Sequence, residues 1–102
     1  MKLIQFTNKG IYCIPGKFYI DPWRPVDLAV ISHGHGDHAK WGMKKYLCHH
    51  FTKPILKIRI GEDIEVQSVG YNEPIIINGV KVSFHPAGHI VGSSQIRMEY
   101  KG

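Results

Sequence analysis

Leu28-Ala29-Val30-Ile31-Ser32-His33-Gly34-His35-Gly36-Asp37-His38 joins a short apolar run to a loop that packs three imidazoles and a carboxylate into six positions. The apolar run reads as a buried strand, and the loop leaves its carboxyl end, where strand-and-helix proteins place their chemistry. Glycine and aspartate are ordinary turn residues, but three histidines in six positions exceed anything a turn requires. Imidazole with carboxylate suits zinc, manganese or non-haem iron, and the glycines let the backbone wrap closely around an ion. His33 and His35, two residues apart, can be aimed to one side, whereas Asp37 and His38 lie past a second glycine where the chain is turning. The four ligands therefore split into two pairs, as a two-metal site needs.

A second motif supplies the rest of one half. Val80-Lys81-Val82-Ser83-Phe84 alternates as a strand, and His85-Pro86-Ala87-Gly88-His89-Ile90-Val91-Gly92-Ser93-Ser94 follows it, so His89 stands on a loop just beyond a strand end. His33, His35 and His89 then give one ion three imidazoles with a position left open, the pattern of a catalytic metal site. His85 reads as a strand-end residue behind the ligands.

Outward from these motifs the chain is read as short strands. Lys2 to Phe6 and Ile11 to Ile14 form a hairpin about Asn8-Lys9-Gly10, and Phe18 to Ile20 follows Pro15-Gly16. A helical turn is expected from His38 to Met43, then a strand from Tyr46 to His49. Thr52-Lys53-Pro54, ahead of Ile55, Leu56 and Ile58, predicts a capped helix with proline in its first turn, ending near Gly61. Ile64 to Val69, Pro74 to Ile77 and Val80 to Phe84 read as strands, the last two joined by Asn78-Gly79, a strong hairpin signal. Ser94 to Tyr100 reads as a final strand, with Glu99 expected to be buried in it.

The H-x-H-x-D-H loop after an apolar strand, with a later Gly88-His89, resembles the metallo-β-lactamase superfamily. Phe18-Tyr19-Ile20-Asp21-Pro22-Trp23-Arg24-Pro25-Val26-Asp27, then Ser32 to Ala39, then His85 to Ser93, resembles more narrowly the bacterial DNA ligase-associated exonucleases, β-CASP-related proteins often labelled mRNA 3′-end processing factor-like. The resemblance runs from about Gly10 onward. It implies an α/β chain forming the N-terminal half of an αββα sandwich, mostly strands with one or two short helices. It further implies two divalent ions in the complete enzyme, zinc foremost and manganese as the alternative. His33, His35 and His89 would hold the first ion, while Asp37 and His38 would belong to the second and to catalysis. Asp21 would act behind the ligands by orienting them; a plain turn residue before Pro22 is the competing reading. The implied activity is phosphodiester hydrolysis by a metal-activated hydroxide, on DNA or alternatively RNA, with a functional link to a DNA ligase. The family's bridging aspartate and last ligand histidine would lie beyond Gly102. Residues 1–102 are therefore expected to be a single partial domain, inactive alone, with an open sheet face hidden by self-association.

The charge balance agrees with a polyanionic partner: 13 Lys and Arg against 8 Asp and Glu give +5. Lys40, followed by Lys44 and Lys45, could reach phosphates beside the scissile bond, or form a solvated basic face. Trp23 and Arg24 could stack a base and grip a phosphate, or pack a turn. Ser93 and Ser94 could donate to a phosphate oxygen, or serve the turn. Cys13 and Cys48 are too far apart for a zinc knuckle and read as reduced core thiols, which with the absence of a signal-peptide pattern points to the cytoplasm. Cys48-His49-His50 is set aside as a metal cluster because contiguous strand residues point in different directions. No apolar run reaches the roughly 20 residues that span a bilayer. Two other functions fit the first motif: metal-dependent thioester or lactam hydrolysis, and a noncatalytic metal-binding module.

Overall fold

Strict alternation sets the layers. In β8 (Val80–Pro86), Val80, Val82 and Phe84 are fully buried while Lys81 is exposed and Ser83 and His85 are half-buried, so one face of the strand is turned wholly inward. The structure, a computed structural model, describes residues 3–32, 40–87 and 94–100. Among them, β7 (Ile75–Ile77), β8 and β9 (Ser94–Tyr100) form an antiparallel three-stranded sheet. Asn78 and Gly79 both have positive φ, 50° and 83°, the backbone demanded by a two-residue hairpin turn that follows the strand twist.

The larger sheet has six strands in chain order: β1 (Ile4–Thr7), β2 (Gly10–Cys13), β3 (Phe18–Ile20), β4 (Leu28–Val30), β5 (Lys45–His49) and β6 (Val66–Val69). The first three pair antiparallel through tight turns, and β3 to β6 run parallel. Parallel neighbours need a crossover, and α1 (Lys53–Arg59) provides it between β5 and β6. Pro54 sits in its first turn, and Lys57 and Arg59 lie in its last turn where the dipole favours cations. Thr52 occupies the N-cap position with helical dihedrals and makes no side-chain capping bond, so proline geometry rather than a cap sets this start.

Two cores separate three layers. Cys13, Phe18, Val30 and Leu47 of the large sheet meet Val80, Val82 and Phe84 of the small one, with Ile96 and Met98 packed beside them. On the opposite face Ala29, Ile31, Tyr46 and Cys48 pack against Leu56 of the helix. The result is a partial α/β sandwich, helix on sheet on sheet, mostly strands with one short helix. Asn78 Nδ2 donates to the Gly16 carbonyl at 2.6 Å and ties the hairpin of the small sheet to the large one.

Two expectations are corrected here. The helical turn from His38 to Met43 does not form over its described part, residues 40–43. Gly42 there adopts φ +98° against the Pro25 ring, a left-handed backbone that ends any helix. Glu99 is exposed and paired to Arg97 at 2.8 Å, because Ile96 and Met98 claim the inward positions of β9. The outer face of the small sheet is largely polar. Lys81, Ser83, His85, Gln95, Arg97 and Glu99 occupy it, leaving Ile76 as its exposed aliphatic side chain among the described residues.

Candidate functional site

Parallel pairing brings strand ends into line. Ile20 is level with Val30, Val30 with Leu47, and Leu47 with Gln67, so Asp21, Ser32, His49 and Val69 follow on one edge of the large sheet. Asp21 is at φ +46°, a left-handed conformation that aspartate tolerates better than most residues. Its N–H donates to the Val30 carbonyl at 2.9 Å, and its carboxylate is thereby turned onto the end of β4. Oδ1 accepts the Ser32 N–H at 2.8 Å and Oδ2 accepts the Ser32 hydroxyl at 2.6 Å. Asp21 thus grips Ser32, the residue immediately before His33 in the sequence.

The second sheet reaches the same point. Ser94, buried at the start of β9, donates its N–H to the Ser32 carbonyl at 2.8 Å. Ser32 precedes the segment bearing His33, His35, Asp37 and His38, and Ser94 follows the segment bearing His89 and Ser93. Those six residues, on which the sites are predicted, lie outside the described residues. Among the described residues no group of three His, Cys, Asp or Glu side chains is placed to hold a metal ion.

The remaining predicted contacts are distributed around this edge. Trp23 Nε1 and Arg24 Nε both donate to the Asn8 carbonyl, at 2.8 and 3.1 Å, and the Trp23 N–H donates to the Lys9 carbonyl at 3.0 Å. These donors fasten the Asp-Pro-Trp-Arg corner to the β1–β2 turn, while the Trp23 side chain stays 53% exposed. The Lys40 carbonyl accepts the Tyr46 hydroxyl at 2.6 Å. Lys44 and Lys45, in contrast, belong to the far edge. Their N–H groups donate to Val26 and Asp27, and their ammonium groups lie 3.9 and 3.8 Å from the exposed carboxylates of Asp27 and Glu65.

Sequence reading passed over a cluster beside Ser32. Cys48 packs on the helix side, His49 turns the other way to stack on Tyr71 at 3.7 Å, and His50 Nδ1 is 2.8 Å from Ser68 Oγ. His49 is buried, its Nδ1 accepts the Phe51 N–H at 3.1 Å, and burial lowers its pKa, with His50 adding to the effect and Glu73 opposing it. Tyr71 in turn bridges to Phe84, which joins this rim to the small sheet. Only the adjacency of two histidines at a strand end signals this cluster in the sequence; Tyr71 and Glu73 arrive by folding. His85 is hydrogen-bonded to Ser83 at 2.9 Å on the outer face of β8. Cys13 and Cys48 are buried free thiols, and desolvation pushes Cys48 up to about 12 against a smaller opposing effect of Lys53.

No family model matches the chain. Two curated proteins are similar to it. One is a probable DNA ligase of Opitutus terrae, 31% identical over 99 residues that make up 95% of this chain and 9% of that protein. The other is an RNase J-like protein of Methanocaldococcus jannaschii, 30% identical over 100 residues, 78% of this chain and 24% of that protein. The chain therefore spans less than a quarter of the length of either relative. Among the described residues, no helix is long and apolar enough to cross a membrane.

Proposed function

We propose that this chain carries the metal-binding half of a phosphodiesterase that acts on nucleic acid, with DNA as the first substrate and an exonuclease mode of attack. The observation that carries the reading is the Ser94 to Ser32 hydrogen bond at 2.8 Å, because it joins the flanks of the two histidine-bearing loops. The donor chemistry fits a pair of divalent cations. Three imidazoles from His33, His35 and His89, with Asp37 and His38 beside them, match the nitrogen-rich set that zinc favours, and manganese is the alternative. When bound, such ions supply Lewis acidity and lower the pKa of an attacking water.

The chain's own residues prepare that chemistry. Asp21 holds the backbone N–H and hydroxyl of Ser32, the last described residue before His33, and this supports a role behind the ligands. Similarity to a DNA ligase and to an RNase J-like protein supports a nucleic-acid substrate, as does the net charge of +5. The RNase J likeness also agrees with the metallo-β-lactamase resemblance of the sequence.

Zinc titration followed by calorimetry tests the first half of the reading. The 102-residue chain should bind zinc, and His33→Ala, His35→Ala and His89→Ala should each weaken binding at least ten-fold. An affinity unchanged by His89→Ala refutes a shared ion. For the second half, the longer protein should degrade end-labelled DNA and lose that activity in Asp37→Asn. Cleavage of a thioester with labelled DNA left intact would replace the nuclease assignment.

A further inference from the structure

The outer face of the large sheet continues past the edge of α1 as an aromatic row. Tyr12 on β2 is registered with Tyr19 on β3, and Tyr19 with Ala29, which the helix-side core covers. The two rings stand 4.6 Å apart at 42° and are only half-buried. They line a groove of about 350 Å³ that also carries Lys9, Lys17 and Asp27. Lys9 precedes β2 and Lys17 follows it, so the ammonium groups flank the rings lengthwise. Neither lysine has an ion-pair partner among the described residues, whereas Asp27 faces Lys44 at 3.9 Å.

The polarity of the groove relates it to the site. β2 runs antiparallel to β3, so its Lys9 end adjoins Asp21 and Trp23, on the edge where Ser32 begins the metal loop. Its Lys17 end lies at the opposite edge, near Leu28. Paired rings in the middle and free cations at both ends match a polymer that alternates planar bases with phosphates. We propose that this groove is a track for single-stranded nucleic acid, guiding a strand along the sheet face to the edge that bears the histidine loops. The proposal rests on the nucleic-acid reading given above.

Binding of a fluorescein-labelled dT12 oligonucleotide to the chain, followed by anisotropy in EDTA, separates this from catalysis because neither metal nor cleavage enters. Lys9→Gln with Lys17→Asn is the primary variant. Both side chains are exposed, and asparagine accepts the φ of +57° at position 17. The pair should weaken binding about ten-fold at low salt and reduce the slope of log K against log salt by about 1.4, the increment for two contacts to single-stranded phosphate. Tyr12→Leu with Tyr19→Leu should cost a further ten-fold or about that, one stacked base. Far-UV circular dichroism checks that each variant is folded. Wild-type failure to bind dT12, lysine-variant binding equal to wild type, or equal capture of an acidic peptide of the same length would each overturn the track. Binding lost in the variants while the longer protein shows no nuclease activity would leave the track standing and remove the phosphodiesterase reading.

Discussion

Removing the Asp21 carboxylate tests its grip on Ser32 at the end of β4. Among the described residues, Asp21→Ala deletes two hydrogen bonds to a charged acceptor, one from the Ser32 N–H at 2.8 Å and one from its hydroxyl at 2.6 Å. Bonds of this kind contribute roughly 1.5–3 kcal/mol each, and partial exposure here favours the low end, so the pair amounts to about 3 kcal/mol. Alanine at φ +46° adds about 1 kcal/mol of backbone strain. Asp21→Gly removes that strain and should recover about that much. Asp21→Asn keeps an acceptor for the Ser32 N–H and lets the serine hydroxyl rotate to accept from the amide, so its loss should be about 1 kcal/mol. In urea, with a slope near 1.5 kcal/mol/M, the alanine midpoint should fall by about 2–3 M and the asparagine midpoint by under about 1 M. Zinc affinity should fall in the same order, by about 10- to 100-fold for alanine. An alanine variant within about 0.5 kcal/mol of wild type, or an asparagine variant as unstable as alanine, would show that Asp21 does not hold Ser32.

Other outcomes follow from the same contacts. A Cβ added at Gly10, which sits at φ +140°, would stand 2.9 Å from Pro22 Cα, so Gly10→Ala should destabilise by about 2 kcal/mol and lower the melting temperature by about 8–16 °C. A melting temperature within about 2 °C of wild type would contradict the close approach. Cys13 and Cys48 are buried with raised pKa values, so a thiol reagent at pH 7.5 should label neither in the folded chain and both in denaturant. Because the folded-state pKa of His49 is lowered, the unfolded chain takes up a proton that the folded chain refuses as pH falls below about 6.5. Its contribution is complete above that pH and declines below it, by at most about 1.4 kcal/mol per pH unit; His49→Gln should flatten the profile by that increment, and an unchanged slope would refute the assignment.

The elements that were legible in the sequence are those whose own residues decide them. Val80 to Phe84 alternates because one face is buried, and Asn78-Gly79 can adopt the two positive φ values of its turn almost uniquely well. Leu28 to Val30 reads as an unbroken apolar run because both faces of β4 are covered, one by each core. What escaped reading depends on partners far along the chain. Residues 40–43 look helical locally, yet Lys44 must hydrogen-bond Val26, which commits the preceding segment to a left-handed glycine beside Pro25. Asp21 is identifiable as acidic at a strand end, but its bonds to Ser32 exist only because β3 and β4 are parallel neighbours. Lys44 and Lys45 follow the histidine-rich segment closely in sequence and still belong to the edge opposite Ser32, since β5 begins where β4 begins.

That topology explains how Ser32 and Ser94, 62 residues apart, meet with no direct sequence signal linking them. Parallel strands place their carboxyl ends together, so whatever follows Ile20, Val30 and Leu47 must gather on one edge. Antiparallel pairing does the reverse: β9 begins where β8 finishes, with Ser94 opposite Pro86. One hydrogen bond then suffices to register the second sheet on the first, and Ser94 supplies it to Ser32. His33 is adjacent to that bond, and His89 is five residues from it, at most about 17 Å of extended chain.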